Sequence, residues 1–490
     1  MATEAGTQVL NGAGRSRGAV LRRLLGKRAH RLGWGVVDQA VSSLTNFAVV
    51  IYVARTVDAA QFGAFGLAYA TYGFALSASR GLASGPLEVR FSGAEFSAWR
   101  RATKHCTGTA AVNGLVAGAG VLLAALALSG TARAAFIALG LSLPGLLLQD
   151  SWRFAFFALG RGSQAFLNDV IWALAMLPAL EILRLTNSHQ VFWLVLAWGA
   201  AAAVAAAAGM VQARIIPSPA HAWQWVRQQG DLGVRYLIEY MFINGSSQLR
   251  TYTVGIVVGL AAVGYLQAAN TLMGPFMVIF FGITLVTVPE AVRALHRSPR
   301  HLRAFCVFVC VGLAVMGLAW GVVLLIALPR GLGGWLLGPI WRPAYPLILP
   351  MTITVVGLSF YAGASIGLHA LGAARRSLRA ALIFSASCLA GALVGALADG
   401  VLGSTWGVAL GMWVGVLVWW WHLRAAFREV SPEAPGTEAE QGVPAVRPDR
   451  LSTAPSANRQ RNRRRNRSRN GRRNRRRNAR RIRFTGTSRK

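Results

Sequence analysis

Four acids, Asp38, Asp150, Asp169 and Glu239, and three arginines, Arg153, Arg235 and Arg250, stand inside long apolar runs of this 490-residue chain. One charged side chain near the centre of a bilayer costs about 2.5 to 3.5 kcal/mol on the insertion scale, so such residues persist where they face a wet cavity or a partner. Asp38, Ser42, Thr45 and Asn46 fall on one face of a helix, and Arg235, Glu239, Asn244 and the more distant Arg250 form a similar set in a second stretch. Asp150 with Arg153, and Arg235 with Glu239, are spaced three and four residues apart, and each couple can equally neutralise itself within its own helix. Asp38 has no basic residue three or four positions away. It is the strongest candidate for an ion-coupling acid, with Glu239 as the second; the coupling ion would be H+ or Na+.

The elements that hold these groups repeat. Asp38 lies in residues 33–86, GWGVVDQAVSSLTNFAVVIYVARTVDAAQFGAFGLAYATYGFALSASRGLASGP, which reads as two spans joined by the polar turn Arg55 to Gln61. Sliding the chain by 201 residues lays Glu239 on Asp38 and Val263-Gly264-Tyr265 on Phe62-Gly63-Ala64. A duplication built around intramembrane acids is the pattern of a transporter. Hydrophobic residues make up 54% of the chain and charged ones 14%, so runs of about 20 apolar residues recur. They predict twelve spans, near 34–54, 62–82, 106–129, 134–158, 164–184 and 190–211, then 233–258, 262–288, 304–329, 347–372, 376–399 and 404–424. The expected fold is an all-α polytopic membrane protein, about twelve transmembrane helices in two six-helix bundles. Uninterrupted apolar runs exclude the alternation of barrel strands. The expected units are an N-terminal arm 1–33, bundles 34–211 and 233–424, a linker 212–232 and a tail 425–490.

Charge placement orients the chain. The loops expected outside hold Arg55, Arg133, Arg184, Arg330 and Arg342, while most remaining basic residues fall on the other side, so both termini are expected in the cytoplasm of a plasma-membrane protein. Six spans per half give parallel repeats. The inner connections GPLEVRF and VPEAVRAL match in the two halves and suit amphipathic segments along the inner leaflet. Pro144, Pro178, Pro275 and Pro350 fall inside spans, where a kink is tolerated. Gly403, Gly407, Gly411 and Gly415 give the last span a flat face for internal packing.

The formal charge is +34, and 21 of the 51 Lys and Arg lie from Arg424 onward. Glu429 to Ser456 reads as a disordered linker and Asn458 to Arg483 as an Arg/Asn-rich low-complexity run. Together with the basic stretch Arg15 to Arg31, it suits a tether to anionic inner-leaflet lipids. Nucleic acid is not an expected partner, because no folded module or interleaved aromatics accompany the arginines. The N-terminus reads as lacking a cleavable signal peptide, with the first span as the insertion signal. No P-loop is present, and Cys106, Cys306, Cys310 and Cys388 read as free packing residues without metal-binding spacing. Neither an enzyme nor a resident cofactor is expected.

Residues 34–82, with SWRFAFFALGRGSQAFLNDVIWAL and GLAAVGYLQAANTLMGP, resemble the polysaccharide (O-antigen type) flippases of the multidrug, oligosaccharidyl-lipid and polysaccharide exporter superfamily. The likeness spans roughly Gly33 to Arg424. It implies two six-helix bundles around a V-shaped cavity opening alternately to each side, and a cargo of polyprenyl diphosphate carrying an oligosaccharide, turned from inner to outer leaflet for surface polysaccharide synthesis. A diphosphate is anionic, so Arg153, Arg235 and Arg250, with Asn46 and Asn244, are the candidate cargo contacts. Glycosyltransferases or a polymerase of the same pathway would be partners. The alternatives are an antiporter for organic cations, a flippase for the peptidoglycan precursor, or a non-transporting scaffold for glycan enzymes.

Overall fold

The computed structural model describes residues 38–39 and 41–430, leaving out the side chains of 239, 242–247, 285–286, 288–289, 374 and 430. The N-terminal arm and the tail beyond 430 lie outside the described residues, as do the side chains of Glu239 and Asn244. Helices account for nearly all of the described chain, and no strand occurs among the described residues. The first bundle comprises α1 (Val41–Thr56), α2 (Ala59–Ser79), α4 (Phe96–Leu126), α5 (Gly130–Ala158), α6 (Gly162–Leu185) and α7 (Val191–Ala213), with a short α3 (Gly85–Phe91) after α2. The second comprises α8 (Ala222–Val257), α9 (Leu260–Arg297), α10 (Pro299–Ala327), α13 (Ile348–Ala370) and the two limbs of α14 (Ala374–Val430), which break at Asp399 and Gly400. Gly400 has φ +56, which an L side chain rarely adopts, so the helix can reverse there. Helices α11 (Gly333–Leu337) and α12 (Trp341–Ala344) fill the connection before α13.

The halves pack alike. In the first bundle α5 lies between α4 and α7; in the second α13 lies between α10 and α14. Outward faces carry bare Leu393, Leu397, Leu410 and Leu417, a surface suited to lipid. Among the described residues, seven segments are long and apolar enough to cross a bilayer, two of them containing more than one pass. Helices α1, α2 and α8 are not among those seven. α1 is apolar but shorter over its described residues, whereas α2 and α8 pack on one another between the bundles.

Most helix ends fall close to the apolar limits. The larger differences are at α4, α8 and α9, which run on past their apolar portions as amphipathic helix; α8 begins at Ala222, inside the expected linker. GPLEVRF forms α3, buried at Gly85, Pro86 and Leu87, whereas VPEAVRAL continues α9 without a break. Gly403, Gly407, Gly411 and Gly415 pack inside the chain, against Gly395, Gly391, Ser387 and Phe384 of the other α14 limb.

The bundles touch where the repeat brings its equivalent residues together. A methyl on Gly63 of α2 would stand 1.7 Å from the Leu260 carbonyl oxygen of α9, and one on Gly264 would stand 2.4 Å from that of Ala59. Only glycine permits this crossing, which closes the end of the molecule bearing the α1–α2 and α8–α9 turns. From there α2 and α8 run together. Tyr252 and Thr71 share a hydrogen bond, Gly73 meets Gln248, and Gly81 meets the Leu237 backbone.

Candidate functional site

Asp38 does find a cation, from another helix. Arg153 of α5 donates from Nη2 to Asp38 Oδ2 at 2.7 Å, and its Nε lies 3.1 Å from Asp169 Oδ2 of α6. The latter contact is ionic without hydrogen-bond alignment, and Asp38 Oδ1 and Asp169 Oδ2 have no hydrogen-bond donor in this buried site. Asp150, one helical turn before Arg153, is 3.9 Å from Arg153 Nη1. Its closer partner is Arg80, which donates from Nη2 and Nε to its two oxygens at 2.6 and 3.0 Å. The pairing of Asp150 with Arg153 inside one helix is thus the weakest contact of the set.

Local structure explains how Arg80 arrives there. At Arg80–Ser84 α2 widens into a π-helical turn, a feature concentrated at functional sites. The guanidinium lies over the Phe154 ring at 5.3 Å. Gln149 donates to Asp169 Oδ1 at 2.9 Å, and Asn168 donates to the Ala205 carbonyl at 2.8 Å and to Gln212 at 3.1 Å, tying α5, α6 and α7 around the acids.

Three carboxylates therefore face two guanidiniums. The acids are almost fully buried, at 1% exposure for Asp38, 5% for Asp150 and 0% for Asp169, while Arg153 keeps 13% and Arg80 30%. With all five ionised the set carries one net negative charge away from water, which is costly unless a proton or a metal cation joins it. Uptake of one monovalent cation would balance that charge.

In the second bundle Arg250 donates to Thr405 Oγ1 of α14 at 3.2 Å, and its buried Nε has no acceptor. No carboxylate pairs with it among the described residues. Arg235 is exposed, and Asn46 donates to the Ser42 carbonyl of its own helix at 3.0 Å. Of the residues singled out in the sequence, the structure brings Asp38, Asp150, Arg153 and Asp169 together and places Arg250 apart from them. It adds Arg80, Gln149 and Asn168. By charge placement Arg80 reads as one of the inner-side cations, although it stands inside the expected span 62–82, which is the signal that could have found it. No His, Cys, Asp and Glu group suited to a metal occurs among the described residues.

No protein-family model matches the sequence, and no curated protein does. Solved structures do. An inward-facing multidrug resistance MATE family transporter of the MOP superfamily has 14% identity and TM-score 0.64, over 81% of this chain and 98% of that one. The lipid II flippase MurJ in an inward closed conformation has 12% identity and TM-score 0.60, over 80% of this chain and 88% of that one. An outward-facing MATE family transporter follows with 15% identity and TM-score 0.53, over 80% and 94%. The chain is a multi-pass membrane protein with the fold of MOP superfamily transporters.

Proposed function

We propose that this protein is an alternating-access transporter that turns a polyprenyl-diphosphate-linked oligosaccharide from the inner to the outer leaflet of the plasma membrane, both termini facing the cytoplasm. The observation that carries this reading is Arg250: a half-buried guanidinium whose buried Nε is unfilled, with no carboxylate partner among the described residues. An unpaired buried cation is costly, and a diphosphate would compensate it with charge-assisted hydrogen bonds. Arg235, Asn244 and Asn46 are further cargo contacts in this scheme. Arg153, held by three carboxylates, serves the cation side instead, with Asp38 and Asp169 as the coupling acids and Glu239 their repeat counterpart. Outward movement of an anion is favoured by a cytoplasm-negative potential, by about 2.3 kcal/mol per charge per 100 mV when the whole field is crossed. Pathway glycosyltransferases are the expected neighbours, and the basic arms hold anionic lipid.

Liposomes containing the protein and a fluorescent prenyl-diphosphate sugar test this. Cargo should reach the far leaflet faster than in empty vesicles, and Arg250→Ala should abolish the gain. Equal rates with and without protein would refute the reading. The net negative charge of the Asp38 cluster favours a second reading, antiport of organic cations. Under it, an imposed proton gradient would drive a lipophilic cation and leave the lipid untouched.

A further inference from the structure

Arg80 and Arg153 both reach for one oxygen. Arg80 Nη2 is 2.6 Å from Asp150 Oδ1, and Arg153 Nη1 is 3.9 Å from the same atom. Arg153 stays at the longer distance because Asp38 and Asp169 hold its other nitrogens. Arg80 keeps part of its surface open, at a turn whose next residue, Gly81, packs directly on the Leu237 backbone of α8. It therefore sits at the seam between the bundles.

We propose that Arg80 is an anion-binding residue released by protonation: one proton on the Asp38 and Asp169 pair frees Arg153 to take Asp150, and Arg80 then turns to a phosphate group of the cargo. This rests on the proposed anionic, lipid-linked cargo. The charge count sets the direction. Three carboxylates against two guanidiniums leave one charge uncompensated, and a proton on either acid removes it. An acid so protonated no longer pairs with Arg153, which keeps the other acid of the pair and is free to swing toward Asp150, the next carboxylate at 3.9 Å. Two cations on Asp150 weaken the hold on Arg80, and an anion near Arg80 completes the exchange. No covalent bond changes; the proton comes from water and stays on one carboxylate oxygen.

Among the described residues, Tyr69 and Tyr72 of α2, Tyr240 of α8 and Glu88 of α3 also act on Arg80, and Cys106 of α4 acts with Asp150. Glu88 is a second carboxylate that senses Arg80, so it is the necessary control. Because proton and anion each favour the same arrangement, each tightens the other by the same factor. The binding is cooperative, so the proton accompanies the anion rather than exchanging with it.

The test is calorimetric titration of the full-length protein in detergent with farnesyl-diphospho-N-acetylglucosamine. Its diphosphate is a diester that keeps its charge between pH 5.5 and 8, so any pH dependence belongs to the protein. Affinity should rise about tenfold per pH unit on acidification over the window of proton uptake, and buffers of different ionisation heat should report one proton bound per anion. Asp150→Asn should bind tightly at every pH with no slope, since Arg80 is then free and the remaining charges balance. Arg80→Ala should lose at least tenfold in affinity and lose the slope. The double variant R80A/D150N removes the pair without stranding a charge and should behave as R80A. Glu88→Gln should keep the slope. A wild-type slope in D150N, or full affinity in R80A with the loss confined to R250A, would overturn the inference. Tight but pH-independent binding by the wild type would overturn it and leave the proposed function standing. No binding at any pH would overturn both.

Discussion

Replacing Gly63 by alanine should force the two bundles apart at the α1–α2 end. The added methyl would stand 1.7 Å from the Leu260 carbonyl oxygen, against about 3.4 Å for ordinary contact, so α2 and α9 must separate by about 1.7 Å. The obstacle is backbone, which cannot rotate aside as a side chain could. Overpacking of this kind costs about 1 to 3 kcal/mol. The cost falls only on the state in which this crossing is closed, so the equilibrium should shift about 5- to 150-fold toward the state open at that end. Spin labels on Ala60 and Ala261, in a cysteine-free background, report the separation by pulsed electron resonance. The wild type should give one short distance and Gly63→Ala a longer one, with Gly264→Ala behaving alike because it meets the Ala59 carbonyl at 2.4 Å. Gly120→Ala meets nothing within 4 Å and should leave the distribution unchanged. A folded Gly63→Ala protein with the wild-type distance would refute the crossing as a gate.

Removing Arg153 alone strands two buried carboxylates, Asp38 and Asp169, since Asp150 keeps Arg80. Arg153→Met should destabilise the first bundle by about 3 to 5 kcal/mol in a detergent unfolding assay, and adding Asp38→Asn should recover part of the loss, whereas equal stability of the single and double variants would contradict the pairing. Asp58 caps α2, accepting from the Gln61 backbone N–H at 2.9 Å, and that bond holds its carboxyl below the usual carboxylate range. Asp58→Ala should cost about 1 kcal/mol at neutral pH. A lowered pKa means the contribution is full above the unfolded value of 3.8 and fades as pH falls through the folded value, so wild type and variant should converge in strong acid. Gly407→Val should separate the α14 limbs, since even a methyl there would stand 1.9 Å from the Gly391 carbonyl, and normal thermal stability would argue against that packing.

Sequence and structure agree best where one physical rule decides. Apolar length located the spans, because a helix in lipid must be apolar along its exposed length, and the Gly403 to Gly415 stripe revealed its packing because only small residues allow such contact. The shift of 201 residues placed Gly63 and Gly264 in register, and the fold shows why both are glycine: they form one crossing. What the sequence did not disclose is pairing across helices. Asp38 lacks a neighbour within its own helix, yet Arg153 reaches it from α5, 115 residues away. Asp150 and Arg153 are spaced to pair, yet Asp150 turns to Arg80 because the π-helical turn brings that residue over α5. Helical spacing describes one helix at a time, while buried charges take partners from all neighbouring helices. The amphipathic extensions of α4, α8 and α9 were hidden for a different reason, since apolarity marks the lipid-covered portion and not the end of the hydrogen-bonded helix.

The central claim is movement of a lipid-linked glycan, and depleting the protein in its host tests it most directly. Lipids are extracted, polyprenyl-linked sugars are identified by mass, and the leaflet holding them is assigned with an impermeant reagent. The account predicts that one glycan-diphosphate lipid builds up on the cytoplasmic leaflet and that Arg250→Ala fails to clear it. If no such lipid accumulates while sensitivity to cationic compounds rises, the protein exports organic cations and the flippase reading is wrong.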